Sequence, residues 1–443
     1  MDHPFTKHPN RTLLALSFPV LISMTAEPLT ALVDTAFVAS LGSIPLAALG
    51  VGTTALSSLF WIFNFLNIGA QTEVAQAYGR GEEERASGIA SLSLAMALGF
   101  AALLILLIIP NANWIASLMG ASGDVQAKAV SYMQIRAYGA PAVLLMAVSF
   151  GVLRGLQDMR SPLWIALGLN ALNVLLDWLL VFGKFGFPEM GVEGSALAST
   201  ISQWLGAIAG VLLITNKLGL SRNFTLTQAK KLLSVGGDLF IRTGLLNFFL
   251  AFSTRAATRI GADAGAAHQA IRQVFLFTSL ALDAYASTVQ SLVGYFIGKD
   301  ALGWAKKVVI VGAKWALGTG FAFGALMWFG RGLVMDMLVP PTAFSVFIPA
   351  WAVSVLSQPI NAIAFLTDGA HWGTGDYKFL RNAMLAATLI GIIGVQLINP
   401  SAPNALLLLW LVATVWASTR AIFGWLRIRP GIGNSPFKEK RAS

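Results

Sequence analysis

Four apolar stretches of the chain carry polar side chains at helical spacing, and two of these stripes include acids. Ser23, Glu27, Thr30 and Asp34 step by four, three and four. Asn64, Asn67 and Gln71 follow, with Glu73 nearby, and Asn170, Asn173 and Asp177 form a third stripe. Ser195, Ser199 and Gln203, with Thr200 beside them, form the fourth. Such steps put each set on one face of an α-helix. Converging, the four stripes would line a wet, acid-bearing cavity around Asp34 and Asp177. A carboxylate in apolar surroundings needs a proton, a cation or a basic partner, so each acid implies a specific chemistry. It can exchange protons, or bind Na⁺ together with Asn, Ser and Thr oxygens, since hard cations take oxygen ligands. The hydroxyl and amide members serve equally well as interhelical hydrogen bonds, worth about 0.6 kcal/mol each. Pro19 and Pro28 free backbone carbonyls in the first stretch and provide places where a helix could bend.

The second half offers other candidates. Asp283, Ser287 and Gln290 share a helix face, and Arg255 is placed to pair with Asp283. Asp238 and Arg242, four residues apart, read as a local pair. Asp158 and Asp376 read as loop and turn chemistry. The nearby Gly151/Gly155 and Gly369/Gly373 pairs fit structured loop elements better than helix packing.

The elements that must position these residues are membrane spans. Of 443 residues, 56% are hydrophobic and only 11% charged, with a mean hydropathy of +0.70. A soluble domain is usually about 25% charged. Twelve stretches approach or exceed the roughly 20 apolar residues a span needs. The first lies at 12–41, the fifth at 161–183, the sixth at 193–216, the seventh at 231–260 and the eighth at 265–297. With the N-terminus inside, most of the 30 Lys and Arg residues fall on the inner side. Only Lys128, Lys184, Arg259 and Arg331 fall in outer loops, and Arg136, Arg242, Arg255, Arg272 and Lys314 stay near or within spans. This bias predicts a multi-pass plasma (inner) membrane protein with both termini cytoplasmic. It also explains the net charge of +10 by membrane anchoring, without nucleic acid as a partner. There is no cysteine, and the four histidines lack metal-ligand spacing. The expectation is therefore no cofactor, with membrane lipid and small organic molecules as partners of a monomer.

The chain repeats itself. Gly42 and Gly79-Arg80 have counterparts in Gly261 and Gly298-Lys299, and Gly151, Gly155 and Asp158 in Gly369, Gly373 and Asp376, at separations of 218 or 219 residues. This predicts two six-helix lobes, 1–216 and 232–443, joined by a cytoplasmic linker at 217–231. Six spans between equivalent points make the repeats parallel, an arrangement found in transporters. At the same offset Asp34 aligns with Ser253, Glu27 with Leu246 and Asp177 with Val395. The acids are thus peculiar to the first half, which points to a role beyond the shared scaffold.

Val33–Gly42 (VDTAFVASLG), Gly151–Leu163 (GVLRGLQDMRSPL), and NVLLDWLLVFG followed by GVEGSALAST resemble the multidrug and toxic compound extrusion (MATE) transporters. The wording of Ala26–Gly42 resembles their DinF branch. The resemblance implies an all-α integral membrane fold of twelve helices in two pseudo-symmetric lobes, as in the MOP flippase superfamily. It implies an H⁺- or Na⁺-coupled antiporter working by alternating access. It also implies a coupling or substrate-competing role for Asp34, a helix bend at Pro19, and a cation site at Asn173 and Asp177. The family's hydroxyl ligand falls on Ser199, with Thr200 adjacent; Glu27 has no carried-over role.

The expectation is thus a cation-coupled exporter of amphipathic or cationic organic compounds, with H⁺ favoured and Na⁺ as the alternative. A lipid-linked precursor flippase would call for more cationic residues facing the cavity. No Asp-rich metal motif or Ser/His constellation suggests an intramembrane enzyme.

Overall fold

The computed structural model describes residues 3–221 and 226–438, apart from the side chains of Glu27 and Leu226. Part of the expected 217–231 linker therefore lies outside the described residues. No strand occurs among those described. The long helices are α1 (Pro9–Ala39), α2 (Ser43–Trp61 continuing as Asn64–Arg80), α3 (Glu83–Leu118), α4 (Gly123–Ala137 and Ala140–Gly155), α5 (Arg160–Phe182) and α6 (Val192–Leu218). They continue as α7 (Leu226–Ile260), α8 (Ala262–Gly298), α9 (Leu302–Phe329), α10 (Phe344–Thr374), α11 (Tyr377–Gln396) and α12 (Ala405–Ile428).

Among the described residues, ten helices are long and apolar enough to cross a membrane, and the two parts of α4, bent by 50°, make an eleventh span. The break in α4 falls at Tyr138-Gly139, where Pro141 opens the second part at a position that needs no backbone donor. Helix α8 is more polar but has 37 residues. At 1.5 Å per residue it reaches about 55 Å, well beyond a hydrocarbon core of about 30 Å.

The chain divides into two compact units. One comprises Ile22–Gly236; the other comprises Met1–Leu21 with Gly237–Ser443. The starts of α1 and α7 thus each pack with the other half of the sequence. In the first unit Gly236 leaves room for the Phe65 ring. In the second, Leu13 is fully buried and approaches Gly312.

The glycine pairs of the repeat are packing devices and not loop elements, which corrects the sequence expectation. Gly151 and Gly155 lie on α4 against the Asn67 and Gln71 carbonyls of α2. Gly369 and Gly373 lie on α10 against the Ala286 and Gln290 carbonyls of α8. A side chain at any of the four would collide with backbone, so glycine lets the helices approach closely. The turn chemistry expected of Asp158 is present. It accepts hydrogen bonds from the Arg160 and Ser161 amides at 3.2 and 3.0 Å, at the start of α5.

Candidate functional site

In the first unit α1, α4, α5 and α6 assemble a polar cluster. Gly194 of α6 lies against the Leu180 carbonyl, 2.7 Å from where its Cβ would stand, so α5 and α6 meet closely. That approach sets Asn173 and Asp177, one turn apart on α5, facing the small and hydroxyl residues of α6. Asp177 is fully buried and Asn173 nearly so. Asn173 Nδ2 lies 3.5 Å from Ser199 Oγ.

Two residues that the sequence left unassigned complete the cluster. Arg136, on the first part of α4 and 9% exposed, donates to Gln203 Oε1 at 2.8 Å and to Thr200 Oγ1 at 3.5 Å. The buried Tyr132 lies one turn before it on the same helix, within its hydrogen-bonding reach. Arg136 was one of the basic residues near or within spans; asking which of them could balance the acids would have singled it out.

Asp34 of α1 is half-buried, and its carboxyl lies within hydrogen-bonding reach of Asp177, with the charge of Arg136 acting on both. Yet Asp34 Oδ1 and both Asp177 oxygens are shielded from solvent and make no hydrogen bond of ordinary geometry, although the Ser195 hydroxyl stands near Asp177. The two observations agree once protonation is considered. An ionised carboxylate only accepts, so two of them in contact form a hydrogen bond when one carries a proton. Without a shared proton or cation they repel. The pair is thus arranged to hold one positive species, and the nearby guanidinium offsets part of the remaining charge.

The other expected residues distribute around this cluster. Thr30 is buried and donates to the Ala26 carbonyl at 3.1 Å. Pro19 and Pro28 lie inside α1, which is continuous from Pro9 to Ala39. The side chain of Glu27 lies outside the described residues. Asn64 and Asn67 hydrogen-bond each other at 3.3 Å, Gln71 is buried, and Asn170 is half-buried. Ser23 accepts from the buried Arg154 at 3.3 Å.

Two pairings expected in the second half are corrected. Arg255 is exposed, and among the described residues no ion pair joins it to Asp283, which is half-buried. Asp238 and Arg242 do not pair locally either. Asp238 accepts from Arg381 at 2.6 Å, and Arg242 joins Asp368, which also binds Arg420 at 2.7 Å. Each is bound instead by a partner from another helix, Arg381 of α11 for Asp238 and Asp368 of α10 for Arg242.

The sequence model of the MatE family matches residues 19–179 and 239–396. Protein DETOXIFICATION 44, chloroplastic, of Arabidopsis thaliana is 29% identical over 96% of this chain and 83% of its own length. DNA damage-inducible protein F of Escherichia coli (strain K12) is 28% identical over 94% and 92% respectively. Among solved structures, an outward-facing multidrug resistance MATE family transporter of the MOP superfamily superposes with a TM-score of 0.87 at 20% identity, over 98% of this chain and 97% of its own. A MATE in the straight conformation gives 0.86 at 19% identity, over 95% and 96%. With helices, repeat and family match in agreement, the chain belongs to the MatE family and is a transporter, not an enzyme.

Proposed function

We propose that this transporter is a cation-coupled antiporter that exports amphipathic organic compounds, with H⁺ as the coupling ion. The observation that carries the reading is the Asp34–Asp177 pair, two carboxyls within hydrogen-bonding reach of each other with shielded oxygens that make no ordinary hydrogen bond. One proton bridges such a pair; its loss restores the repulsion. In the cycle we propose, Asp34 takes a proton from outside, α1 bends near Pro19 or Pro28, and the cavity contracts and releases its substrate. On the inner side the pair loses the proton and the cavity reloads. The two six-helix lobes alternate access, as a monomer in the plasma membrane with both termini cytoplasmic. Relatives described as multidrug resistance proteins support export as the direction.

Na⁺ coupling is the second reading, favoured by the approach of Asn173 to Ser199 beside Asp177, a set of oxygens suited to a hard cation. Transport in proteoliposomes under an imposed pH gradient or an imposed Na⁺ gradient separates the two. H⁺ coupling predicts export driven by the pH gradient alone, abolished in Asp34→Asn and Asp177→Asn. Full transport by Asp34→Asn ends this mechanism. Export driven by Na⁺ without a pH gradient moves the coupling site to Asn173, Asp177 and Ser199.

A further inference from the structure

The second unit holds a cavity whose chemistry is the reverse of the Asp34 cluster. Four of its polar lining residues are Ser253 on α7, His268 and Arg272 on α8, and Trp410 on α12; Ser357 and Asn361 on α10 and Thr414 on α12 also line it, hydrogen-bonded within their own helices. No carboxylate lines it. Ser253 stands at the repeat position that Asp34 occupies in the first half. Where the first unit places two acids, the second places a serine, a histidine and an arginine.

Each of these four residues has a buried polar atom without a partner: Ser253 Oγ, His268 Nδ1, Arg272 Nε and Trp410 Nε1. Ser253 and His268 are 4% and 5% exposed. Native structures rarely leave buried polar groups unpaired, because each one left so forfeits its bonds to water with nothing in return. Four around one cavity mark a place where a ligand completes the bonding.

The polarity of that ligand follows from the donors. The Arg272 and Trp410 nitrogens can only donate, and the Ser253 hydroxyl is free to do so. Arg272 contacts Thr254 Oγ1 at 3.4 Å but makes no ion pair among the described residues. An arginine within a span is expensive without a counter-charge. Thr254 gives its own hydroxyl proton to the Leu250 carbonyl at 2.9 Å. It is therefore an acceptor for His268 Nε2, 3.3 Å away, which leaves Nδ1 of a neutral ring as an acceptor for a water or a ligand hydroxyl. Aromatic rings form one side of the wall, with Phe249 stacked on Trp416 at 4.7 Å and Phe275 beside them.

We infer that this cavity is a binding site for an organic anion, with a carboxylate held by Arg272, Trp410 and Ser253 and an apolar or aromatic body against the rings. The site lies wholly within the second unit and does not depend on the nature of the coupling ion. The transporter would accept anionic or zwitterionic amphiphiles, beyond the cationic compounds that its acids suggest.

Calorimetric titration of the purified, detergent-solubilised protein with benzoate and with its uncharged isostere benzamide tests this. Benzoate should bind saturably in the millimolar range or tighter, and at least tenfold more tightly than benzamide. Arg272→Gln should weaken benzoate binding tenfold or more and remove the preference; Arg272→Lys should retain part of it. Ser253→Ala, a small change that leaves the helix intact, should weaken it severalfold. Asp34→Asn should leave benzoate binding unchanged even where it abolishes proton-driven export, which separates this site from the proposed coupling mechanism. Equal binding of benzoate and benzamide, no saturable benzoate binding in the millimolar range, or unchanged affinity in both Arg272→Gln and Ser253→Ala overturns the inference.

Discussion

Gly155 meets the backbone of Gln71: a Cβ on the glycine would lie 2.8 Å from the glutamine carbonyl oxygen. Gly373 repeats the relationship against Gln290 at 2.6 Å. Each unit therefore depends on the same glycine contact, between α4 and α2 in one and between α10 and α8 in the other. The obstructing atom is backbone in both cases, so no rotamer change relieves a larger side chain. Gly155→Leu and Gly373→Leu should each destabilise by about 1–3 kcal/mol or more, the usual cost of overpacking. Thermal unfolding of the solubilised protein should show a lowered midpoint for either variant. Gly237→Leu, at a position with open space around its Cβ, should change it little.

The start of α5 is held by charge. Lys217 of α6 reaches Asp158 at 2.7 Å, and the Ser161 hydroxyl donates to the same carboxylate at 2.5 Å. Burial alone would raise the Asp158 pKa, but the bonds from Lys217 and from the Ser161 hydroxyl and amide outweigh it and set it below its ordinary 3.8. A depressed carboxylate pKa contributes stability above the unfolded value and loses it as pH falls through the folded one. The contact should hold at neutral pH and weaken only below about pH 4. Lys217 is 43% exposed, so solvent screening keeps the pair's worth below about 1 kcal/mol. Asp158→Asn should remove this pH dependence, read from unfolding midpoints between neutral and acidic buffer.

Arg136 should matter to transport more than to folding. Arg136→Met takes the nearby cation from Asp34 and Asp177 and strands Gln203 Oε1, an orphan that costs about 1–3 kcal/mol. Gln203→Leu added to it removes the orphan. The double variant should regain much of the stability but none of the transport, which should stay at least tenfold below the parent. Recovery of both in proteoliposome assays would mean that Arg136 only fastens α4 to α6.

The sequence made the helical architecture and the repeat legible because both rest on local signals: long apolar runs, helical polar stripes and glycines at a fixed separation. Asp34 and Asp177 stood out because an acid within a span has few bland explanations, and Asn173 because it shares the helix face of Asp177. The partners were not. Arg136 reaches Gln203 from a helix 67 residues earlier in the chain, and spacing along one helix carries no information about such a meeting. The same limit misassigned Asp238 and Arg242, whose four-residue spacing is compatible with a local pair. Glycine pairs beside a turn gave two readings, and only the facing carbonyls decide between them. The exchange of the starts of α1 and α7 between units has no local signature at all.

Arg242 and Arg420 share the single carboxylate of Asp368, and all three side chains are at least nine-tenths buried. Stacking on Trp372 and Trp416 supports the guanidiniums at 5.2 and 4.6 Å, yet the cluster keeps one positive charge in excess. Breaking a buried ionic cluster by removing one partner costs about 3–5 kcal/mol, because the remaining charge stays desolvated. Asp368→Asn leaves two guanidiniums facing each other and should be among the most damaging single substitutions in the second unit. Replacing the whole cluster with apolar residues of similar size, Arg242→Met, Asp368→Leu and Arg420→Met, removes every desolvated charge and should recover most of that loss. Unfolding midpoints and detergent-stable yield of the single and triple variants measure both effects. A triple variant as unstable as Asp368→Asn would mean that the helix contacts around α10 need the charges themselves, and that apolar packing cannot replace them.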